Sequence, residues 1–439
     1  MSHNFFAKRA PVFILVLFVA FLFIGFKPTK PDFVTAKNGL LYRQGKAYYF
    51  IGTNFWYGTL LGSETEQGNR PRLLNELDFL ASKGITNLRI LVGADLSVEH
   101  PKRVSPALQT KPGVYDEKLL EGLDYLLAEM SNRKMTAVLY LTNSWDWSGG
   151  YGQYLEWNGF GTYPSVVDTA VSWTEFQAYT TQFHSCKPCV ENYLAHIRKI
   201  VSRNNSITGL PYKDDPAIMA WQLGNEPRAF SQAAIPAFEN NMKAAAQLIK
   251  SIDKNHLVSV GSEGKMGSEG SMELYERLHS IPEVDYLTIH IWPKNWRWIN
   301  ENNLDSTVNT AIQNTDEYID SHLAVAKKLG KPLVIEEFGF PRDGYSFSPL
   351  SATTNRDKYY GAIFQKIQGS SKNKKNLAGC NFWSYGGFGR PGTKKAPWFS
   401  KNDDLLGDPP CEEQGLNSVF DTDNIIDTIE KYNKDFRNL

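Results

Sequence analysis

Short apolar runs alternate along this chain with longer segments in which apolar residues recur every three or four positions. The short runs fall at 48–53, 86–92, 135–142, 218–223, 257–261, 286–290, 333–337 and 379–384. Their near-continuous apolar character reads as strands buried on both faces, as in a parallel sheet. The longer segments, for example 72–83, 117–133, 190–202, 237–252, 315–329 and 357–368, read as amphipathic helices. Strand followed by helix, about eight times over, predicts an α/β fold: a (β/α)8 TIM barrel. No Pro/Ser-rich or charge-rich linker interrupts it, so residues 37–439 are expected to form a single barrel domain. Two strand-to-helix connections, 143–172 and 385–421, are unusually long and rich in aromatic residues. In such barrels these loops crown the face that carries the site.

Nearly every predicted strand ends on a polar or aromatic residue. The first runs into Asn54-Phe55-Trp56-Tyr57, the second carries Arg89, and the third leads to Asn143-Ser144-Trp145-Asp146-Trp147. The fourth, Ala217-Ile218-Met219-Ala220-Trp221-Gln222-Leu223, breaks into Gly224-Asn225-Glu226-Pro227-Arg228. The sixth ends at His290-Ile291-Trp292, the seventh at Glu336-Glu337-Phe338-Gly339, and the eighth at Trp383. A barrel would bring all of these to one cleft. Two strand ends that each offer a glutamate predict paired carboxylates working on one bond.

Composition narrows the partners. Lysine plus arginine equals aspartate plus glutamate, 47 each, so there is no basic excess to favour nucleic acid. Lys8 and Arg9 precede an apolar run, 12–26, of about 15 residues, which suits a signal peptide better than the roughly 20 of a membrane span. No clean small-x-small cleavage site follows it, so a retained N-terminal anchor is the competing reading, with membrane association as its consequence. On either reading the body of the protein is exported, and residues 1–36 are set aside as leader. The four cysteines suit that compartment. Cys186 and Cys189 form a lone C-x-x-C without the second pair that zinc would need, and are expected to bridge each other. Cys380 falls in a strand and reads as a buried thiol. Asp146, Asp403 and Asp404 lack the spacing of a cation loop and read as loop-ordering acids, so neither a metal nor a cofactor is expected. The chain is read as a monomer.

The strand-end residues are those of a known family. Asn225-Glu226-Pro227, Glu337-Phe338-Gly339, Arg89, His290 and Trp383 resemble glycoside hydrolase family 5. Gly52-Thr53-Asn54-Phe55-Trp56-Tyr57, Ser148-Gly149-Gly150-Tyr151-Gly152-Gln153-Tyr154, Asn225-Glu226-Pro227-Arg228 and Gly407-Asp408-Pro409-Pro410 narrow the likeness to its endo-β-1,4-mannanases. The resemblance runs from about residue 37 to the C-terminus. It implies a retaining mechanism on a β-mannan polysaccharide, with Glu226 as acid/base and Glu337 as nucleophile. Arg89 and Asn225 would hold the reacting sugar and the carboxylates, and Trp383 would floor the sugar ring. His290 would join the site. Trp292 departs from the tyrosine that many members carry two residues after the histidine. An indole N–H only donates, so the contact it makes stays open.

The residue types fit that chemistry. Cleavage needs a proton on the leaving oxygen and a negative charge beside the oxocarbenium-like carbon. Arg89 near Glu337 would keep it ionised, while burial would keep Glu226 protonated. Because neighbours along a strand face opposite ways, only one of Glu336 and Glu337 should aim at the cleft. Trp56, Tyr57, Trp145, Trp147, Trp157, Trp296 and Trp383 are candidate platforms for sugar faces. Arg228 would bind hydroxyls on the leaving-group side. Blander roles compete: Arg89 as an internal ion-pair partner, His290 as a core histidine, Trp383, Trp145 and Trp147 as barrel filling. Two other functions remain in play, a barrel hydrolase for another β-1,4 polysaccharide such as glucan, and a carbohydrate-binding protein with a dead site.

Overall fold

Eight strands, buried along their whole length, line up in parallel in the computed structural model, which describes Met1 and residues 32–98, 100–166, 171–392 and 398–438. They are β1 (Phe50–Asn54), β2 (Asn87–Leu91), β3 (Thr136–Tyr140), β4 (Ile218–Gln222), β5 (Leu257–Ser259), β6 (Leu287–Ile291), β7 (Leu333–Phe338) and β8 (Leu377–Phe382). The sheet runs β5-β4-β3-β2-β1-β8-β7-β6. Hydrogen bonds join its two outer strands: Asp285 N to Val258 O at 2.8 Å, Val258 N to Asp285 Oδ2 at 2.7 Å, and His290 N to Glu263 O at 3.2 Å. The expected TIM barrel is therefore present, closed at the β5–β6 seam. All eight predicted strands lie within about two residues of their observed positions.

The outer layer is α1 (Arg70–Ser82), α2 (Glu117–Asn132), α3 (Lys187–Val201), α4 (Ile235–Ile252), α5 (Met272–His279), α6 (Leu304–Leu329), α7 (Thr354–Lys372) and α8 (Ile425–Arg437). Local chemistry sets their ends. Asp116 accepts from Lys118 N at 2.8 Å to start α2, Asn69 accepts from Arg72 N at 3.0 Å to start α1, and Gly330 in the left-handed region ends α6. Helix α6 begins eleven residues before the predicted 315. Its first turns are rich in Asn, Ser and Thr, which favour caps over helix interiors. Burial of Leu304, Val308, Ala311 and Thr315 on one face overrides that preference.

The barrel has two ends of different character. At the N-terminal mouth a hairpin of Thr35–Lys37 and Leu40–Arg43 places Val34 and Leu41 in a buried cluster with Phe50, Met219, Leu257, Val334 and Ala378. This plug leaves the opposite mouth, where the strands end, for the site. The first long loop carries helix Tyr151–Trp157 there, and helix Trp173–Thr180 follows it. Cys186 and Cys189 are disulfide-bonded at the start of α3. Cys380 is a buried free thiol, and Cys411 a half-buried one. The apolar segment 12–26, with Lys8 and Arg9, lies outside the described residues. Among those described, no helix is long and apolar enough to cross a membrane.

Strand β1 meets β2 only from Thr53 onward, and a side chain serves the backbone below that point. Asn433 of α8 accepts from Ile51 N at 2.8 Å and donates to Ile51 O at 2.9 Å, all buried. Asn433→Ala strips both partners from this pair of groups. The expected loss is about 2–4 kcal/mol of stability, with an unchanged denaturant m-value, measured by urea unfolding.

Candidate active site

The chain leaves β4 through Leu223-Gly224-Asn225 and presents Glu226 at the barrel mouth. Asn225 N donates to Thr142 O at 2.8 Å and Glu226 N to Gly261 O at 3.0 Å. Glu226 has φ 50°, in the left-handed region, although it precedes Pro227, a position that favours extended backbone. Such a conformation costs about 1–3 kcal/mol and persists where neighbours impose it. Here those two hydrogen bonds to flanking strand ends impose it.

Arg89 of β2 is fully buried beneath the mouth. Its Nε donates to Gln222 Oε1 at 2.9 Å, and Nη2 to Asn225 Oδ1 at 2.7 Å. Its Nη1 donates to Asn54 Oδ1 at 3.0 Å and to Glu337 Oε1 at 2.5 Å. One face of the guanidinium lies 4.5 Å from the Tyr140 ring centroid. Arg89 thus holds Glu337 and Asn225 from behind and does not reach the cleft. Of its two expected roles the hold on the carboxylate is present, and four strands converge on the guanidinium from all sides.

Of Glu336 and Glu337 only one reaches the cleft, as expected, but alternation of faces is not the reason. Glu337 lines the cleft. Glu336 does not turn outward: it sits fully buried inside the barrel, bonded to Gln222 Nε2 and, at 3.0 Å, to Tyr286 OH, with Arg89 Nε 3.9 Å away. The cause is a bulge. Ile289 of β6 pairs with Ile335 but His290 pairs with Glu337, which leaves Glu336 as an extra residue. A bulge suspends the alternation of faces, so both glutamates point inward at different depths.

Glu226 and Glu337 meet at the centre. One oxygen of each carboxylate and a ring nitrogen of His290 lie within 4.8 Å of one another. His290 Nδ1 is 2.7 Å from Glu226 Oε1 and 3.4 Å from Glu337 Oε2. Burial, with Arg89 adding to it, holds the imidazole well below its ordinary pKa, so the ring is neutral. A proton on Nδ1 supplies the donor for Glu226, and Nε2 faces no hydrogen-bond partner. Trp145 Nε1–H donates to Glu226 Oε2. The nearby Trp292 indole also favours the charged form of Glu226, more weakly than Trp145 does. Ligand spacing in this trio would also suit a metal. The Arg89 guanidinium on Glu337 and the Arg228 cation beside Glu226 oppose a further positive charge.

Burial raises the pKa of both glutamates above the ordinary carboxylate range. At Glu337 the Arg89 guanidinium opposes it and the charge of Glu226 reinforces it. At Glu226 the Arg228 guanidinium and the Trp145 N–H oppose it. Each carboxylate, once charged, disfavours ionisation of the other. The ion pair with Arg89 favours the charged form of Glu337.

The cleft has a volume of about 720 Å³. Asn225, Arg228, Trp145, Trp147, Trp292, Trp296 and Trp383 line it, as the strand-end pattern predicted. Trp383, whose peptide bond to Ser384 is cis, stands edge-on to Trp147 and Trp292, with ring centroids 6.4 and 6.0 Å away. Trp292 lies so close to the chain that a Cβ on Gly339 would come 2.7 Å from its ring. His290, like Arg89, stands behind the carboxylates, out of the cleft. Trp56 and Tyr57 do not line it either. Loop 385–421 folds over the end of β1, where Trp56 Nε1 donates to Gly407 O at 2.8 Å and Tyr57 OH to Tyr385 O at 3.0 Å. Trp157 packs edge-on against Tyr154, also outside the cleft lining. Asp146 accepts from Ser165 Oγ at 2.5 Å and Asp403 from Ser400 N at 2.8 Å, as loop-ordering acids do.

Several lining residues carried no signal in the pattern: Glu263 after β5, Trp173 on the helix after the first long loop, and Trp398, Glu412 and Asn417 on the second. The second loop is built on buried charge. Asp408 accepts from Gly415 N at 2.9 Å, Asn417 N at 3.0 Å and Ser418 N at 3.1 Å, while Arg356 collects the carbonyls of Phe340, Leu416 and Ser418. This brings Glu412 to 3.4 Å from Trp383 Nε1. Burial raises Glu412 to about 8, so it is protonated at neutral pH. The Gly407-Asp408 stretch marked the family likeness without revealing that it shapes the cleft wall.

Known proteins agree with this geometry. A glycoside hydrolase family 5 mannosidase from Rhizomucor miehei superposes with a TM-score of 0.85 at 32% identity, over 93% of this chain and 99% of that one. Mannan endo-1,4-β-mannosidase 2 of Oryza sativa subsp. japonica is 28% identical over 371 residues, 80% of this chain and 76% of the relative. Mannan endo-1,4-β-mannosidase 4 of Solanum lycopersicum is 29% identical over 397 residues, 86% and 91%. The profile of GH family 5 β-mannosidase-like proteins matches residues 31–439, so this chain, with its two glutamates across a barrel-mouth cleft, belongs to that family of glycoside hydrolases.

Proposed function

We propose that the protein hydrolyses β-1,4-mannosidic bonds inside mannan, glucomannan or galactomannan with retention of configuration, Glu337 as nucleophile and Glu226 as acid/base. The carrying observation is the approach of one oxygen from each carboxylate to within 4.8 Å, in a cleft that Trp383 also lines. Retaining enzymes hold their carboxyl groups about 5–5.5 Å apart, inverting ones about 6.5–9.5 Å. The relatives named for mannan cleavage support the substrate class, and the R. miehei mannosidase has been crystallised with mannosyl-fructose.

In the first step Glu337 attacks the anomeric carbon while Glu226 gives its proton to the departing oxygen. Trp145 and His290 each occupy one lone pair of Glu226, which leaves the remaining positions, and the proton, to face the cleft. Esterification removes the charge of Glu337, and the anion left on Glu226 is stabilised by Arg228. Glu226 then takes a proton from water, which attacks the ester and frees the sugar with its original configuration. Arg89 receives Glu337 back as a carboxylate. We further propose that the basic and apolar N-terminal segment exports the protein, as a cleaved leader or a retained anchor. N-terminal sequencing of the mature chain distinguishes the two.

Reducing sugar is expected from mannan and not from carboxymethylcellulose. Binding to mannan without release of sugar would leave only the carbohydrate-binding reading. Glu226→Gln and Glu337→Gln are each expected to lower kcat by about 10³-fold or more with little change in Tm, and a variant that keeps most of its activity would refute its role. The first product from manno-oligosaccharides is expected as the β-anomer by NMR. Gly339→Ala should push Trp292 off Glu226 and lower kcat/KM by about 10–100-fold while the far-UV CD spectrum stays unchanged.

A further inference from the structure

A third acid faces the cleft and has no part in the steps above. Glu263 follows β5 in Ser262-Glu263-Gly264 and is only 3% exposed. Its Oε2 accepts from Arg228 Nε at 2.6 Å and also meets Arg228 Nη2. Arg228 lies over the indole of Trp145, its guanidinium carbon 5.1 Å from the ring centroid. Trp145 in turn donates its N–H to Glu226. Four residues from the loops after β3, β4 and β5 therefore form one contiguous chain: Glu263, Arg228, Trp145, Glu226. All four line the cleft.

We propose that Glu263 is a positioning residue for the acid/base: it pins Arg228 against Trp145 and offsets its charge, so that Glu226 keeps its proton as the solution becomes more alkaline. The proposal rests on the reading of Glu226 as the acid. Arg228 and Arg89 are the cations that face Glu226, and Glu337 and Glu263 the anions. Neutral His290, the N–H groups of Trp145 and Trp292, and the Tyr318 phenol complete its surroundings. Glu263 is faced by Arg228, Glu226, His290 and Glu337, and Tyr318 OH donates to its backbone oxygen at 2.8 Å. Glu269 adds a weaker negative influence on Arg228 from the same loop.

The sign follows from these charges. After burial, which raises Glu226, Arg228 is the largest influence on it and acts to release the proton. Burial raises Glu263 to about 7 against the pull of Arg228, and Glu263 and Glu226 repel each other when both are charged. Once Glu263 ionises, it neutralises Arg228 and repels an anion on Glu226. Both effects hold the proton on Glu226 through the pH range where a carboxylic acid would otherwise lose it. The bond-breaking step needs that proton, so the working range of the enzyme extends upward in pH.

The experiment is the pH dependence of kcat/KM on mannotetraose for the full chain and three variants. Glu263→Gln keeps the shape and an acceptor for Arg228 but removes the charge. Its alkaline limb is expected about one pH unit lower, with the acid limb nearly unmoved. Arg228→Met, at a side chain partly open to solvent, should move the alkaline limb the opposite way. In the double variant the limb should return close to its parent position, a coupling that a loss of packing alone would not produce. Limbs that stay in place, or that move in the same direction in both single variants, would overturn the proposal. Glu226→Gln separates the two readings. Its residual activity should lack the alkaline limb. If the limb persists there, the acid role of Glu226 fails; if it is lost there yet unmoved in Glu263→Gln, only the role of Glu263 fails.

Discussion

A guanidinium with no access to water governs this barrel mouth. Arg89 must place its N–H groups on protein partners, since an unpaired buried charge costs several kcal/mol. It finds them on β1, on β4 and the loop that follows it, and on β7. Asn54, Gln222, Asn225 and Glu337 are therefore fixed relative to one another by a single planar, inflexible fork. Glu337 inherits its orientation from that fork, and Glu226 follows Asn225 in sequence. The positions of both glutamates thus depend on one buried ion, and the hydrophobic barrel around it supplies the low dielectric that gives the ion its strength.

The layers around Arg89 divide the electrostatic work. Below it, Glu336 balances the cation with help from Gln222 and Tyr286. Above it, Glu337 pairs with the same cation at the cleft. On the leaving-group side a second cation, Arg228, has its own counter-ion in Glu263. Each reactive carboxylate is thus flanked by an arginine that has another acid to answer to. On the opposite wall Asp408 and Arg356 gather backbone groups of loop 385–421, so that an irregular segment holds a definite shape beside Trp383. Loops with few apolar contacts need such polar anchors to place side chains firmly.

Much of this was legible in the amino-acid sequence. Continuous apolar runs exposed the strands, and the break of a run into Asn225-Glu226-Pro227 or Glu337-Phe338-Gly339 exposed the site, because both signals are local. What escaped is set by non-local contacts. The bulge that turns Glu336 inward arises from the register between β6 and β7, which no single strand encodes. Trp56 and Tyr57 look like platforms until a loop more than 300 positions later in the chain covers them. Glu263 follows an unremarkable three-residue strand, and only the fold carries it to Arg228. The early turns of α6 are helical because they are buried, against the preference of their own residues.

The left-handed backbone at Glu226 has a consequence for how the protein fails under heat. That conformation is held by hydrogen bonds to Thr142 and Gly261, each just beyond the end of a strand. Warming that frees those two carbonyls lets the residue relax to a more comfortable geometry and swings the acid out of line, while the eight strands beneath still stand. Loss of activity on warming is then expected to precede melting of the barrel.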